Sequence, residues 1–477
     1  MSLYFSKLAI LCSSGRLSKL LTVLPSMQSG SSQTISYQRF ARAIDLRCTV
    51  LELSLMQHRN QSELKEHLLD LIMDASVPME ILALNNSNFI RGFLNVLQKA
   101  LDFLRSQPVH PDTQSLLVRC EEMLLHISYK SDVLPSILFL RDIKPVGMHP
   151  VTGGGWSDVW KGVLHGRVVA LKVLRDCHVR DEVRKTRLRK KFHREALIWR
   201  QLCHPNIHPF LGIFDGLHNP SLVSPWRSRG HLLAFLKSQS GQQYDRAMIL
   251  GEIASALAYL HSLTPPLVHG DIKAVSYVHP GLKLLIDTPE PVLFPQANVL
   301  VDSTNRPCLV DFGISKFVRP AVSRPPPSPK IYNWDGRVVH RFRHANESLS
   351  DTMTHTSHFH GTLRWMPPEA FMGTYRGSTA GDMYSFGCLC LEVYTLEHPW
   401  REERNEAAII ARSLAGQRPM RPQEVPSEVW AIMQMVWQQD PEERQTAPWI
   451  EWLLAGISDQ YPETSGADDQ PAVYLDK

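Results

Sequence analysis

At 477 residues the chain has room for two or three domains, and a composition of 43% hydrophobic and 21% charged residues argues against a disordered protein. A formal net charge of +4 is too small to imply a nucleic-acid partner. Eight cysteines without a C-x-x-C pair argue against a zinc site or disulfide framework and suit a reducing compartment.

Residues 1–44 carry Ser-rich patches and no periodicity, which predicts a disordered or targeting-like N-terminus. The apolar stretch from Leu8 to Leu24 is broken by Arg16 and Lys19, too short and too charged for a membrane span. No acidic residue precedes Asp45, whereas Lys7, Arg16, Lys19, Arg39 and Arg42 do, the bias of a mitochondrial transit peptide. A cytoplasmic protein is the main expectation and a mitochondrial one the alternative. Residues 45–133 read as a helical accessory region. Phe89, Ile90, Phe93, Leu94, Leu97, Leu101 and Leu104 recur at three and four and share one helix face. Pro108 and Pro111 break that helix, and Leu116 to Ile127 begins another. Such stripes cannot be buried alone, so these helices are expected to pack together or against the next domain. No constellation in them suggests chemistry, and their partners are not legible.

Near Ser136 short β-branched runs separated by glycines take over; Ile143–Pro145, Val159–Leu164 and Arg167–Val173 read as strands. Arg180 to Cys203 reads as a long helix with Leu188, Phe192, Ala196 and Trp199 facing inward. Its basic run, Arg184 to Lys191, is expected on a solvated face rather than in a nucleic-acid patch. After Pro225 the chain turns mostly helical, Met248–Leu263 and Gly381–Thr395 being the clearest segments, the latter with Cys388 and Cys390 as buried thiols.

Several motifs carry chemistry. Gly153-Gly154-Gly155-Trp156-Ser157-Asp158-Val159 lies between strand candidates, where backbone N–H groups can be laid over phosphates, although a plain turn reads the same. Val169-Ala170-Leu171-Lys172 follows, with Glu195 on the inner face of the next helix. Then comes His269-Gly270-Asp271-Ile272-Lys273-Ala274, cut off by twenty-two residues, Val275 to Gln296, before Ala297-Asn298-Val299-Leu300-Val301 and Asp311-Phe312-Gly313. Gly361 to Glu369 (GTLRWMPPE), Asp382 to Gly387 (DMYSFG) and Asp440 to Arg444 (DPEER) complete the series.

In this order the motifs resemble those of eukaryotic protein kinases. The chain is most similar to the tyrosine-kinase-like group of Ser/Thr kinases, in the form abundant in basidiomycete fungi, on the Leu134–Leu140 run and the Ser224-Pro225-Trp226 hinge. The resemblance covers about Leu134 to Ala455. It implies an α+β, two-lobed protein kinase fold with a β-rich N-lobe and a helical C-lobe over 134–455, preceded by the helical N-terminal region, with a disordered tail over 456–477. It also implies transfer of the ATP γ-phosphoryl group to Ser/Thr hydroxyls of protein substrates, with ATP and Mg²⁺ as cofactors. Asp271 would accept or orient the substrate hydroxyl proton, and Lys273, typical of Ser/Thr rather than Tyr kinases, would touch the γ-phosphate. Lys172 would bind the α and β phosphates with Glu195 as its partner, and Asn298 and Asp311 would hold the metal. Nucleotide contacts would come from Gly153, Gly154, Gly155, Val159, Ala170, Lys172, Ser224 and Leu300. Glu369 would pair with Arg444, and Asp382 would brace the catalytic-loop backbone. Two departures stand out. Thr152 and Ser157 replace glycines of the family's loop, and Gly270 replaces an arginine that grips a phosphorylated activation segment in many members.

The block 275–296 holds Pro280, Pro289, Pro291 and Pro295 and cannot continue a helix. Lengthening a loop costs only about 0.6 kcal/mol per doubling, but a misplacement of about 1 Å at a reacting centre can cost roughly a hundredfold in rate. Excision of the block is therefore expected to speed the reaction. A retained intron is one origin, since Val275-Ser276 can be encoded as GTN-AGY and Gln296 as CAG; a family-specific loop is the other. A nucleotide-binding pseudokinase scaffold and an inactive product of the split loop are the alternatives to an enzyme. A second insertion, roughly 319–348, is Pro-rich from Arg319 to Lys330 and predicts extended or disordered chain. Beyond it, Ser348, Ser350, Thr352, Thr354, Thr356 and Ser357 offer phosphorylation sites, and His355, His358 and His360 read as a polar loop rather than a metal site.

Overall fold

The computed structural model describes residues 77–83, 85–106, 111–153, 157–175, 182–274, 297–318, 362–372 and 375–458. The expectations for 1–44, for the helical region up to residue 76, for both insertions and for 459–477 lie outside the described residues, as do Gly154 and Gly155.

Helix α1 (Val77–Ala83) precedes α2 (Ser87–Arg105). Asn86 caps α2, its side-chain oxygen accepting the backbone N–H groups of Asn88 and Phe89 at 3.1 Å. The three-four spacing produces the expected face: Ile90, Phe93, Leu94, Leu97, Leu101 and Leu104 are buried and Phe89 is half-buried. Each such side chain withdrawn from water contributes about 1.5–3 kcal/mol, enough to fix how the helix lies. Helix α3 (Pro111–Ser131) packs along α2 and buries Leu116, Cys120, Met123, Leu124 and Ile127. Pro111, expected only to break a helix, instead opens one. In a first turn the missing N–H has no intrahelical acceptor to lose.

The β-rich part is one antiparallel sheet. Strands β1 (Lys144–Val146), β2 (Thr152–Gly153), β3 (Ser157–Leu164), β4 (Arg167–Leu174), β5 (Gly212–Phe214) and β6 (Ser221–Pro225) run in the order β1-β3-β4-β6-β5, with β2 added on β3. Alternation along β4 sends Val169 and Leu171 into a core with Ile143, Phe214 and Val223. Ala170 and Lys172 therefore occupy the other face. Register then supplies their neighbours, since Val159 lies opposite Lys172 and Ser224 opposite Ala170. Helix α4 (Glu182–Arg200) follows β4, with Phe192, Ala196 and Trp199 buried and Leu188 half-buried.

The helical part comprises α5 (Leu232–Lys237), α6 (Gln239–Gln242), α7 (Arg246–Ser262), α8 (Thr379–Thr395), α9 (Glu406–Leu414), α10 (Ser427–Val436) and α11 (Ala447–Ser458). Every residue of α8 from Gly381 to Val393 is buried, Cys388 and Cys390 as free thiols among them. A helix covered on all sides is the pillar of its lobe. Helix α11 reaches Ser458 and so corrects the expected tail at its start. Ile457 prolongs the stripe of Ile450, Leu453 and Leu454, which keeps the helix paired with α7. Short ladders of β7 (Leu267–Val268) with β10 (Lys316–Phe317), and of β8 (Val299–Val301) with β9 (Pro307–Leu309), frame the segment between the two parts. No helix among the described residues is long and apolar enough to cross a membrane.

Candidate active site

Lys172 leaves the sheet face and meets two carboxylates. Its Nζ lies 2.8 Å from Glu195 Oε1 on α4 and 2.9 Å from Asp311 Oδ1. Burial by itself would lower the Lys172 ammonium, but Asp311 and Glu195 together carry it well above its ordinary value. Asp311 is the mirror case: burial would raise its carboxyl, and Lys172 overrides that and holds it well below the usual carboxylate range. Glu195, 4% exposed, is raised by burial, with the Asp311 charge acting against the relief that Lys172 supplies. The lysine is thus a fixed cation and Asp311 a fixed anion. Asp311 also takes a left-handed φ of +68°, and its Oδ1 accepts the Gly313 N–H at 3.3 Å. A Cβ at Gly313 would stand 3.1 Å from both Asp311 Oδ1 and Glu195 Oε2, so a side chain there would press on both carboxylates by a few tenths of an ångström.

The catalytic loop closes across the insertion. The Asn298 backbone N–H donates to Lys273 O at 3.2 Å, and its side-chain Nδ2 donates to Asp271 O and Asp271 Oδ2, both at 2.7 Å. Lys273, 2% exposed, lies 2.9 Å from Asp271 Oδ2 and donates to Thr362 Oγ1 at 2.8 Å. Asp271 Oδ1 is buried and has no hydrogen-bond partner among the described residues. A buried carboxylate oxygen with free lone pairs is an acceptor for an incoming hydroxyl.

The bond from Asn298 to Lys273 bears on the expected damage by residues 275–296. Joining Ala274 directly to Ala297 would make Lys273, Ala274, Ala297 and Asn298 a four-residue turn, and its closing hydrogen bond already exists. Excision of 275–296 is therefore expected to change kcat by less than about threefold, in place of the acceleration that the sequence alone suggests. It should raise the thermal midpoint by several degrees, because closing so long a loop costs about 2–3 kcal/mol. Melting curves and initial rates of the two chains check this; a rate gain above tenfold would mean that the turn is mostly open in the full chain.

The loop is braced from below. Asp382 on α8 accepts the backbone N–H groups of His269 and Gly270 at 2.8 Å, one on each carboxylate oxygen, and lies 3.0 Å from His261 Nε2. Gly270 has φ +82°, a conformation that charges any other residue with strain. The ring of Phe312 packs between His269, at 5.2 Å, and Trp199 of α4, at 6.1 Å, so α4 is tied by contact to the loop. Arg444 grips Glu369 with both Nη atoms at 2.7 Å. Sequence reasoning missed Glu392, whose Oε2 accepts both the Ala274 N–H at 2.8 Å and Trp365 Nε1 at 2.9 Å. An acid inside the otherwise apolar run Cys388–Val393 was the available signal.

Among the residues expected at a nucleotide, Val159, Ala170, Lys172 and Ser224 share one sheet face, and Leu300 lies in β8, bridged to His231. Gly153 ends β2, where a Cβ would strike both Arg175 Nη2 and Asp158 Oδ1, themselves an ion pair. For a metal, the donor set suits a hard cation: the Asp311 carboxylate, kept anionic, and the Asn298 amide, whose residue is tied by its backbone oxygen to the N–H of Val310, next to Asp311. Among the described residues no group of three or more His, Cys, Asp or Glu forms a different metal centre.

A β-rich lobe followed by a helical lobe, with a lysine–glutamate pair facing an aspartate, an asparagine and a second aspartate, defines the protein-kinase class. The chain matches the family described as protein tyrosine and serine/threonine kinase over residues 148–276 and 343–453, and it belongs to that family. Asn298 and Asp311 fall between the matched stretches, so the geometry above is what joins them to the site. The serine/threonine-protein kinase CTR1 of Arabidopsis thaliana is 26% identical over 308 residues, covering 64% of this chain and 30% of the relative. TNNI3K of Mus musculus, also named a serine/threonine-protein kinase, is 26% identical over 319 residues, 65% of this chain and 31% of its own. The MAP kinase kinase kinase wis4 of Schizosaccharomyces pombe is 26% identical over 316 residues, 63% and 19% respectively. The chain thus spans about a third or less of the length of these relatives.

Proposed function

We propose that the chain is a protein serine/threonine kinase that transfers the γ-phosphoryl group of ATP to Ser and Thr hydroxyls of protein substrates, with Mg²⁺. The observation that carries this reading is the meeting of Asp271 and Asn298 across 26 intervening positions, 272 to 297, beside the Lys172–Glu195–Asp311 cluster. Bound Mg–ATP supplies the electrophilic phosphorus and the charge neutralisation that the residues cannot. Asp271 Oδ1 accepts the proton of the attacking hydroxyl. Lys172, held in place by Glu195, would bind the phosphates, while Asp311 and Asn298 would hold the metal. Lys273, fixed between Asp271 and Thr362, presents its charge next to the transfer path and ties the loop to the segment that would receive the peptide. The Lys273–Thr362 bond and the names of the relatives both support Ser/Thr over Tyr. The meeting of Lys172, Glu195, Asp271, Asn298 and Asp311 supports an enzyme over the pseudokinase alternative. A cytoplasmic setting belongs to the same proposal, supported by five described cysteines that are all free thiols.

The test is transfer of label from γ-labelled ATP to a generic Ser/Thr protein substrate by the full chain. Transfer that needs Mg²⁺ and stops with chelator is expected. Nucleotide binding without transfer would return the chain to the scaffold reading.

A further inference from the structure

Helices α2 and α3 hold α4 at both ends. At one end, Asp132, just past α3, meets Arg189, and Lys190 Nζ lies 4.2 Å over the Tyr129 ring. The basic run expected on a solvated face is thus partly docked. His193 stands 3.3 Å from the same carboxylate, but burial pushes it down to about 4, so at neutral pH Arg189 is the charged partner of Asp132. At the other end, Arg200 Nη2 donates to Asp102 Oδ2 at 2.8 Å, and Gln201 Nε2 donates to Gln98 Oε1 at 2.9 Å. Gln98 is wholly buried and in turn donates to Asp102 Oδ1 at 3.0 Å. Arg105 joins Gln201 to Glu121 of α3. Glu195 sits between these two fastenings.

The same hairpin is fastened to the sheet. Asn95 Nδ2 donates to Ser136 Oγ at 2.8 Å and Asn95 Oδ1 accepts the Ile137 N–H at 3.2 Å. Two residues on, Phe139 bridges to Ile213 and the Leu140 N–H donates to Ile213 O at 2.7 Å. One helical hairpin therefore bridges the sheet that carries Lys172 and the helix that carries Glu195.

We propose that the α2–α3 hairpin is a built-in brace that keeps α4 turned inward, with Gln98 and Asp132 as positioning residues for the Lys172–Glu195 pair. The buried Gln98 amide is the strong anchor, because leaving its partner unpaired in the interior is costly; the half-exposed Asp132–Arg189 pair adds a weaker hold at the other end. Loosening the brace lets α4 swing and removes Glu195 from Lys172. The contact of Trp199 with Phe312 carries the same displacement to Asp311 and the catalytic loop. The kinetic arm of the test rests on the kinase reading; the exchange arm does not.

The experiment compares the full chain with the double variant Gln98→Ala/Asp132→Ala. Backbone amide exchange is measured in α4 and in α8, and kcat and peptide KM with a generic substrate. Expected are faster exchange in α4 with α8 unchanged, and a fall in kcat of at least about fivefold, the lower end of coupling between separate sites, with peptide KM unchanged. Asp132→Glu, which keeps the carboxylate, should recover most of kcat. Unchanged exchange in α4, or exchange rising equally in α8, overturns the proposal. Should the wild-type chain transfer no phosphate, the function falls, yet α4 exchange still decides on the brace. If the double variant does not fold, Asp132→Ala alone is read by the same criteria.

Discussion

Asp271→Asn is expected to lower kcat by about 10²–10⁴-fold, the contribution of a positioned general base, while KM for ATP stays near that of the parent. The argument rests on how each oxygen of Asp271 is used. Oδ2 accepts Asn298 Nδ2 at 2.7 Å and pairs with Lys273 at 2.9 Å, whereas Oδ1 is buried without a described partner. An asparagine must put its NH₂ at one of these places. At Oδ1 it becomes a donor where an acceptor is needed. At Oδ2 it confronts Asn298 Nδ2 and the Lys273 ammonium, both donors. Either orientation removes proton acceptance without touching Lys172 or Asp311. Lys273 loses its carboxylate and keeps Thr362, so some stability is lost as well, and rates belong at a temperature where both proteins are folded. A variant within about threefold of the parent rate would strip Asp271 of its role.

Arg444→Ala should cost about 3–5 kcal/mol of stability, the usual consequence of breaking a buried ion pair from one side. Its guanidinium is fully buried and bidentate on Glu369, and it also donates from Nε to Gln438 O at 2.9 Å and from Nη1 to Ala380 O at 3.1 Å. Removal leaves Glu369 and two carbonyls unanswered. At about 2–4 °C per kcal/mol for a domain of this order, the thermal midpoint should fall by roughly 10 °C. Arg444→Lys keeps the charge but cannot fork, so it should lie between the two. A shift of less than about 3 °C for the alanine variant would show that the pair contributes little.

Much of the site was legible because its signals are local or ordered. Lys172 lies near the end of an apolar strand, and Glu195 sits at the inward spacing of the following helix. Asp271 and Asn298 could be joined on paper by removing one block of text. What was not legible was whether the joined residues touch, since hydrogen bonds such as Asn298 to Lys273 have no signature in composition or period. The brace was hidden for a different reason. Gln98, Asp102 and Arg105 are polar residues on an amphipathic helix, and sequence pattern sends such residues to solvent. Only the tertiary arrangement brings them against Arg200 and Gln201. The basic run does lie on a solvated face, Arg189 being 53% exposed, but its pairing with Asp132 and the seat of Lys190 over Tyr129 have no signature in a run of cations. Glu392, by contrast, could have been singled out as a charge inside an apolar helix.

The hydrogen bonds between Asn298 and the 271–273 segment have one more consequence. Covalent continuity is not what brings the halves of this catalytic loop together. The polypeptide departs after Ala274, returns at Ala297, and is received by Lys273, Asp271 and the β8–β9 ladder through non-covalent contacts alone. The two halves stay tethered by residues 275–296, so the centre is held by these contacts at the effective concentration that the tether sets.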